Sequence, residues 1–361
     1  MLAIDRSKID GKNHLLYDNN GNFSFVDTIP KGCFILGTDS CRSIKNMAKL
    51  LRWDLPELVP DNFLKMADTL GAVSPNWIHL VGKPKFFTQL KAFFAAYEAI
   101  KKSYNPAVVK LQTKLECLIR MMNPAPYDIE KVPKDSMARF EKSLRPHYND
   151  GQITAPSYIR THTKTGRLTV KSGPPVLTMH ANLRKGLVDA IQIDFRSMEP
   201  NLLLAWQGRP TYLDLYSALA EEVFDGKLSR TKVKLSVIAS LYNSERSNKH
   251  AKAIAEFFKV DEIIEDLENQ VSDGVLTNMY GRPILVKDAE KNHLLSLWLQ
   301  SSAVDAALTG FCNLVIKNKL VKPYWIIHDA LIINNVDIGV DYLNVGNGFQ
   351  LPIKVESFDE K

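Results

Sequence analysis

Two aspartates that each close a short apolar run constrain this chain more than any other feature. Asp194 follows Ala190-Ile191-Gln192-Ile193, and Asp329 follows Tyr324-Trp325-Ile326-Ile327-His328. Apolar runs this short read as strands buried in a sheet. A sheet delivers the residue at a strand's end to its edge, so both carboxylates are expected at the margin of a packed core. Between and around these runs the period changes to that of helices. Asn201 to Trp206, Asp214 to Phe224, Thr231 to Tyr242 and the stretch 248–273 read as helices, and Ala289 to Leu320 reads as one long helix or two. Tyr324 to Asn334 reads as a strand pair, or as one strand and its turn. A small sheet mixed with many helices gives an α/β or α+β fold.

The N-terminal part is different in character. Residues 1–80 mix a strand-like stretch at Ile35-Leu36, a short helix from Ser43 to Trp53 and turn-rich pieces such as Asp18-Asn19-Asn20-Gly21. From 85, Phe86, Phe87, Leu90, Phe93, Phe94, Tyr97 and Ile100 recur at helical spacing. Pro106 interrupts, and Val108 to Met122 continues as a second helix. Lys101, Lys102, Lys110 and Lys114 crowd the joint. Such a pair suits a duplex backbone and equally a plain helical hairpin with a solvated basic face. From Ile153 the pattern turns to strands and loops, with Thr163 to Leu168 in a turn.

The chain has 361 residues, 45% of them hydrophobic and 24% charged, the profile of an ordinary globular protein with roughly two or three domains. Its net charge of +6 suits a partner made of phosphates. Cys33, Cys41, Cys117 and Cys312 show no CxxC spacing, which argues against a zinc site. Four scattered thiols fit a reducing compartment. The first ten residues lack an apolar signal core, and no run of about 18 apolar residues suggests a membrane span. The expected location is the cytoplasm, that of a host cell if a phage encodes the protein.

Two carboxylates brought together repel and call for a cation between them. Mg²⁺ suits oxygen ligands and leaves room for substrate phosphates. A solvated cap explains either acid alone, and the basic helix between them shifts the balance. On that helix Arg230, Lys234, Ile238 and Tyr242 recur every four residues and form one stripe, while Lys232 points elsewhere. Two cations followed by an apolar and an aromatic residue match a nucleoside triphosphate read from tail to base. A surface helix with a basic stripe has the same spacing. Asn292, Ser296 and Gln300 repeat the four-residue interval on the next long helix. Gln300 stands among Leu297, Trp298, Leu299 and Val304, where an amide needs partners. A base pair's minor-groove acceptors would supply them, to Gln300 and Arg167 alike, as would an internal hydrogen bond.

Over about residues 150–361 these segments resemble the A-family DNA polymerases, the bacterial repair type and its phage relatives. Thr165-Gly166-Arg167-Leu168 resembles the family's primer–template element. Asp194 to Glu199 with Leu202 to Ala205 resembles motif A, with Asp194 on the metal-binding aspartate and Glu199 on the acid that excludes a ribose 2′-hydroxyl. Asp214-Leu215-Tyr216 and Glu222-Val223-Phe224 resemble the stretch before the fingers helix. Arg230, Lys234, Ile238 and Tyr242 fall on that helix. Gly281-Arg282 resembles the turn before the long helix, which carries Gln300 and Asp305. His328-Asp329 resembles the motif with the second aspartate, and Leu351 to Glu356 the last strand.

The resemblance implies a right-hand polymerase with a palm sheet, helical fingers and a helical-hairpin thumb. Residues 81–150 would be thumb, 151–204 and 285–361 palm, and 205–284 fingers. Asp194 and Asp329 would hold two Mg²⁺, with Mn²⁺ able to substitute. Lys234 would be the catalytic acid. Arg230, Lys234, Ile238, Tyr242, Glu199 and Tyr216 would bind dNTP. Arg167, Gln300, His328, Arg282, Lys101 and Lys102 would contact DNA. Primer–template DNA, dNTPs and replication accessory proteins are the implied partners, with no membrane.

The chain also departs from the family pattern. Ala330 stands in place of a third acid, Ile238 of an aromatic residue, Ala239 and Asn243 of glycines, Asn292 of an arginine and Tyr216 of a histidine. Residues 1–80 lack the acid cluster of a proofreading exonuclease, and no 3′–5′ exonuclease is expected. Two rivals remain at this stage. One is a single-subunit RNA polymerase, against which Glu199 argues. The other is a primer–template binding protein without catalysis.

Overall fold

The computed structural model describes residues 1–4, 14–18, 20, 22–31, 33–36, 44–52, 105–242, 248–287 and 289–358. The chain divides into two units, Met1–Cys117 and Leu118–Lys361. The expected boundary at 80/81, the aromatic helix at 85–100, Lys101, Lys102 and Asn243 lie outside the described residues.

In the first unit, β1 (Leu2–Ile4), β2 (His14–Tyr17), β3 (Phe23–Val26) and β4 (Phe34–Leu36) form a sheet of order β3-β2-β1-β4. β1, β2 and β3 run antiparallel and β4 lies parallel to β1. The turn between β2 and β3 has a local cause. The Asp18 carboxylate accepts the backbone N–H of Asn20 and of Asn22, closing an Asx turn. Ala3, Leu16 and Cys33 form the core of this sheet. α1 (Ile44–Leu50) buries Met47 and Leu50, with Leu51 behind them, against Val108 and Val109 of α2 (Pro106–Ile119). Pro106 opens α2, a position where a missing N–H costs nothing, and the Asn105 side chain accepts the N–H of Ala107. Cys117 is disulfide-bonded, which the expectation of four separate thiols missed because sequence spacing carries no spatial pairing. Cys33 and Cys312 are buried.

The second unit begins with small pieces: β5 (Ala125–Pro126), α3 (Met137–Ser143), β6 (Tyr148–Asn149) and β7 (Gln152–Ile153), then the hairpin of β8 (Ser157–Ile159) and β9 (Thr169–Ser172). β10 (Ala190–Phe195) follows, and the chain turns helical. α4 (Met198–Trp206), α5 (Leu215–Phe224), α6 (Arg230–Tyr242), α7 (Lys249–Phe258) and α8 (Val260–Gln270) lead to a hairpin of β11 (Val275–Thr277) and β12 (Pro283–Leu285). α9 (Lys291–Lys317) is one helix of 27 residues. β13 (Pro323–Ile327), β14 (Ala330–Asn334), β15 (Tyr342–Gly346) and β16 (Phe349–Ser357) complete the chain.

Five strands form an antiparallel sheet of order β13-β14-β10-β16-β15. β10 is its central strand, buried at every position but Asp194. That explains the near-continuous apolar run in the sequence. β13 is likewise buried throughout. The helices form a second core: Val233, Val237 and Leu241 of α6 pack with Leu215 and Leu219 of α5, Ile254 and Phe258 of α7, Ile263 and Leu267 of α8, and Leu295 and Trp298 of α9. His293–Lys317 is long and apolar enough by composition to cross a membrane, which the sequence reading had not credited. Its most apolar window is 67% buried inside the protein, as befits the core helix that it is.

Candidate active site

The sheet register brings the two aspartates together. Ile327 pairs with Ala330, so His328 and Asp329 form the two-residue loop between β13 and β14. His328 has φ +56°, left-handed backbone that a two-residue hairpin requires and that a non-glycine residue adopts only where the surroundings hold it. β14 pairs with β10, setting Ala330 opposite Asp194. Asp329 is therefore one residue from Asp194's strand partner, and its carbonyl accepts the N–H of Phe195 at 3.3 Å. Just past β10, Ser197 has φ +44°. That sharp turn starts α4 at once and leaves Glu199 in its first turn.

These residues share a cavity of about 610 Å³. Asp194, Asp329, Glu199, His328, Arg167, Tyr216, Arg230, Lys234, Ile238 and Gln300 all line it. Ten residues singled out from sequence, spread over 163 positions from Arg167 to Asp329, thus converge on one space.

The cavity's electrostatics disfavour two ionised carboxylates side by side. Burial, then the charges of Asp329 and Glu356, push Asp194 up to about 6, against the opposing pull of Arg184 and Lys354. Burial likewise raises Asp329. Two half-buried carboxylates, both reluctant to ionise, form a donor set suited to a hard divalent ion, which would displace their protons. Among the described residues no group of three or more His, Cys, Asp or Glu side chains is placed to hold a metal ion. Protonated Asp194 cannot hold a cation, so Mn²⁺ affinity is expected to fall as pH drops below about 6. Titrations from about pH 5 to about 7.5 would test this, and an affinity flat across that window would remove Asp194 from the ligand set.

On α6 the expected stripe is seen. Val233, Ser236, Val237, Ser240 and Leu241 are buried, while Arg230, Lys234 and Ile238 are exposed toward the cavity and Lys232 stays outside it. Arg230 is already aimed. Its Nε donates to both carboxylate oxygens of Asp214, at 3.1 and 3.2 Å, and its guanidinium lies 5.3 Å from the Tyr216 ring centroid. Asp214 is itself fixed as the N-cap of α5, accepting from Ser217 N and Oγ.

Glu199 is clasped from two sides. Arg167 Nη2 donates to Oε1 at 3.2 Å, and the Tyr242 hydroxyl donates to Oε2 in a short hydrogen bond. Burial and the charge of Asp329 raise its pKa, while Arg167 opposes. Tyr242, expected beside a base, does not line the cavity and reaches it through Glu199. Gln300 is half-buried, and among the described residues nothing in the protein takes its amide. Ser296 instead bonds back to the His293 carbonyl at 2.9 Å.

Arg282 corrects an expectation. It was placed among the DNA contacts, yet it is 1% exposed. Its Nε donates to Asp305 at 2.9 Å and its Nη2 to the Thr165 carbonyl and Ser301 Oγ, both at 2.7 Å. A guanidinium so engaged cannot meet a phosphate. Lys101 and Lys102 lie outside the described residues.

Sequence reasoning missed Arg184, Lys354 and Glu356, which set the field at Asp194. For Arg184 a signal existed. Residues 151–188 hold Arg160, Lys164, Arg167, Lys171, Arg184 and Lys185 and no Asp or Glu, an acid-free stretch leading straight into β10.

No family model and no curated protein matches the chain. Among solved structures it is similar to the POL domain of Pol1 from M. smegmatis, in complex with DNA primer-template and dNTP, with 14% identity and a TM-score of 0.42. The match covers 86% of this chain and 62% of that one, so the chain spans less than two thirds of the length of its match.

Proposed function

We propose that this chain is a template-directed DNA polymerase that adds dNTPs to a primer 3′-hydroxyl. One observation carries the reading: two aspartates at the ends of neighbouring strands and a helix presenting Arg230 and Lys234 face the same cavity. In this reading the five-stranded sheet is the palm, α5 to α8 are the fingers, and residues 81–150 are the thumb. No proofreading activity is expected of residues 1–80 in this reading.

Asp194 and Asp329 would hold Mg²⁺. When bound there, the metal supplies Lewis-acid stabilisation of phosphate charge and a more acidic 3′-hydroxyl. The remaining roles belong to the chain. Arg230 and Lys234 hold the triphosphate oxygens and offset the charge that gathers on the departing pyrophosphate. Lys234 Nζ can pass a proton to that leaving group. Asp214 and Tyr216 keep the Arg230 guanidinium at the mouth of the site before substrate arrives. Ile238 faces the sugar. Glu199, held by Arg167 and Tyr242, occupies the place where a ribose 2′-hydroxyl would go. Arg167 and Gln300 offer donors to minor-groove acceptors shared by all base pairs, so they check pair geometry without reading sequence. His328, exposed at the hairpin tip, meets the primer end.

The test is extension of a recessed DNA duplex with Mg²⁺ and either dNTPs or rNTPs. Templated extension with dNTPs is expected. Extension with rNTPs alone would move the reading to an RNA polymerase, and junction binding without extension would reduce it to a binding protein. Glu199→Ala is expected to raise rNTP incorporation relative to dNTP on the order of a hundredfold. An unchanged ratio would take Glu199 out of sugar selection.

A further inference from the structure

Asp194 has a lysine for a neighbour in the sheet. Its register partner on β14 is Ala330, and its partner on β16 is Lys354. Register partners on antiparallel strands point to the same face, so Ala330, Asp194 and Lys354 stand in one row. Lys354 lines the same cavity as the two aspartates. Gln192 and Glu356 form the next row on that face. Glu356 holds the Lys354 ammonium in an ion pair, and Arg184 Nη1 donates to Gln192 at 3.1 Å. The ammonium is therefore tethered beside the acid. Burial and the charges of Asp329 and Glu356 raise Asp194, and Arg184 and Lys354 pull it back. On the other side of Asp194 in that row stands the methyl group of Ala330.

We propose that Lys354 is a built-in counter-cation of Asp194 that weakens the affinity of the free protein for a divalent ion. The inference rests on the reading of Asp194 and Asp329 as a cation site. Lys354 is a positioning residue: it acts on the metal through the charge that it shares with Asp194, and Glu356 fixes where that charge sits. A divalent ion entering beside Asp194 meets the ammonium's repulsion. At the spacing of neighbouring cross-strand side chains and an effective dielectric between water and protein surface, removing that repulsion is worth about a tenfold gain in affinity.

The experiment is Mn²⁺ titration of the free 361-residue protein, read by the paramagnetic resonance signal of unbound Mn²⁺. It compares wild type, Lys354→Gln, Lys354→Arg, Lys354→Glu and Asp194→Asn. The expected result is about tenfold tighter binding for Lys354→Gln, tighter still for Lys354→Glu, wild-type affinity for Lys354→Arg, and loss for Asp194→Asn. Equal or weaker binding in Lys354→Gln, with Asp194→Asn still abolishing it, would overturn the role of Lys354 and leave the cation site standing. Tightening by Lys354→Arg as large as that by Lys354→Gln would show that shape rather than charge matters and overturn the inference as well. Absence of Mn²⁺ binding in every variant would overturn the cation site and this inference together.

Discussion

Asp329→Ala is expected to slow primer extension by at least about a thousandfold while leaving primer–template affinity within a few-fold of wild type. A thousandfold corresponds to about 4 kcal/mol of lost transition-state stabilisation, the scale of removing a centrally placed electrostatic group from an active site. Asp329 sits in a two-residue hairpin loop and is half-buried. Its removal also relieves a repulsion, since its charge raises both Asp194 and Glu199. The melting temperature should therefore hold or rise. Asp194 in the variant ionises more readily, yet one carboxylate holds a divalent ion far less firmly than two. Single-turnover extension beside a thermal melt measures both quantities. A variant that folds and extends within tenfold of wild type would sink the assignment of Asp329.

What the sequence disclosed and what it hid follow from the range of the interactions. The runs before Asp194 and Asp329 were legible because β10 and β13 are buried along almost their whole length, which writes a continuous apolar signal. The α6 stripe was legible because a helix repeats locally. The pairing of Asp194 with Lys354 was not, because it joins residues 160 positions apart and only sheet register decides it. Arg282 misled for a related reason. A Gly-Arg turn reads as exposed, but its acceptors are Thr165, Ser301 and Asp305, distant residues that only the fold assembles. The Arg230 tie to Asp214 spans 16 residues, across one helix and a loop, beyond any periodic pattern.

Asp305→Ala is expected to cost about 3–5 kcal/mol of stability, the range for removing one partner from a buried ion group. Asp305 on α9 is fully buried. It receives Arg160 through one oxygen in a short ion pair, and Arg282 Nε at 2.9 Å and Asn278 Nδ2 at 2.7 Å through the other. Burial alone would raise its pKa. The Arg282 and Arg160 charges, with the hydrogen bonds, outweigh burial and lower it. Its contribution is thus present above the unfolded value near 4 and is lost only as pH falls through the lower folded value. Without Asp305 the two buried guanidiniums lose the carboxylate that they share. The same group also seats the turn that carries Arg167. Gly166 has φ +75°, and an added Cβ would stand 2.7 Å from Arg282 Nη2, so the turn lies directly on that guanidinium. Denaturant unfolding measures the stability loss. A loss below about 1 kcal/mol would contradict the buried-charge account. Replacing all three charges together by Met, Met and Leu separates stability from placement. The fold is expected to recover, as for other buried ion groups exchanged for apolar ones. The Arg167 turn, having lost the guanidinium beneath it, is not, and its looser hold should appear as a raised KM for primer–template in a protein that melts like the wild type.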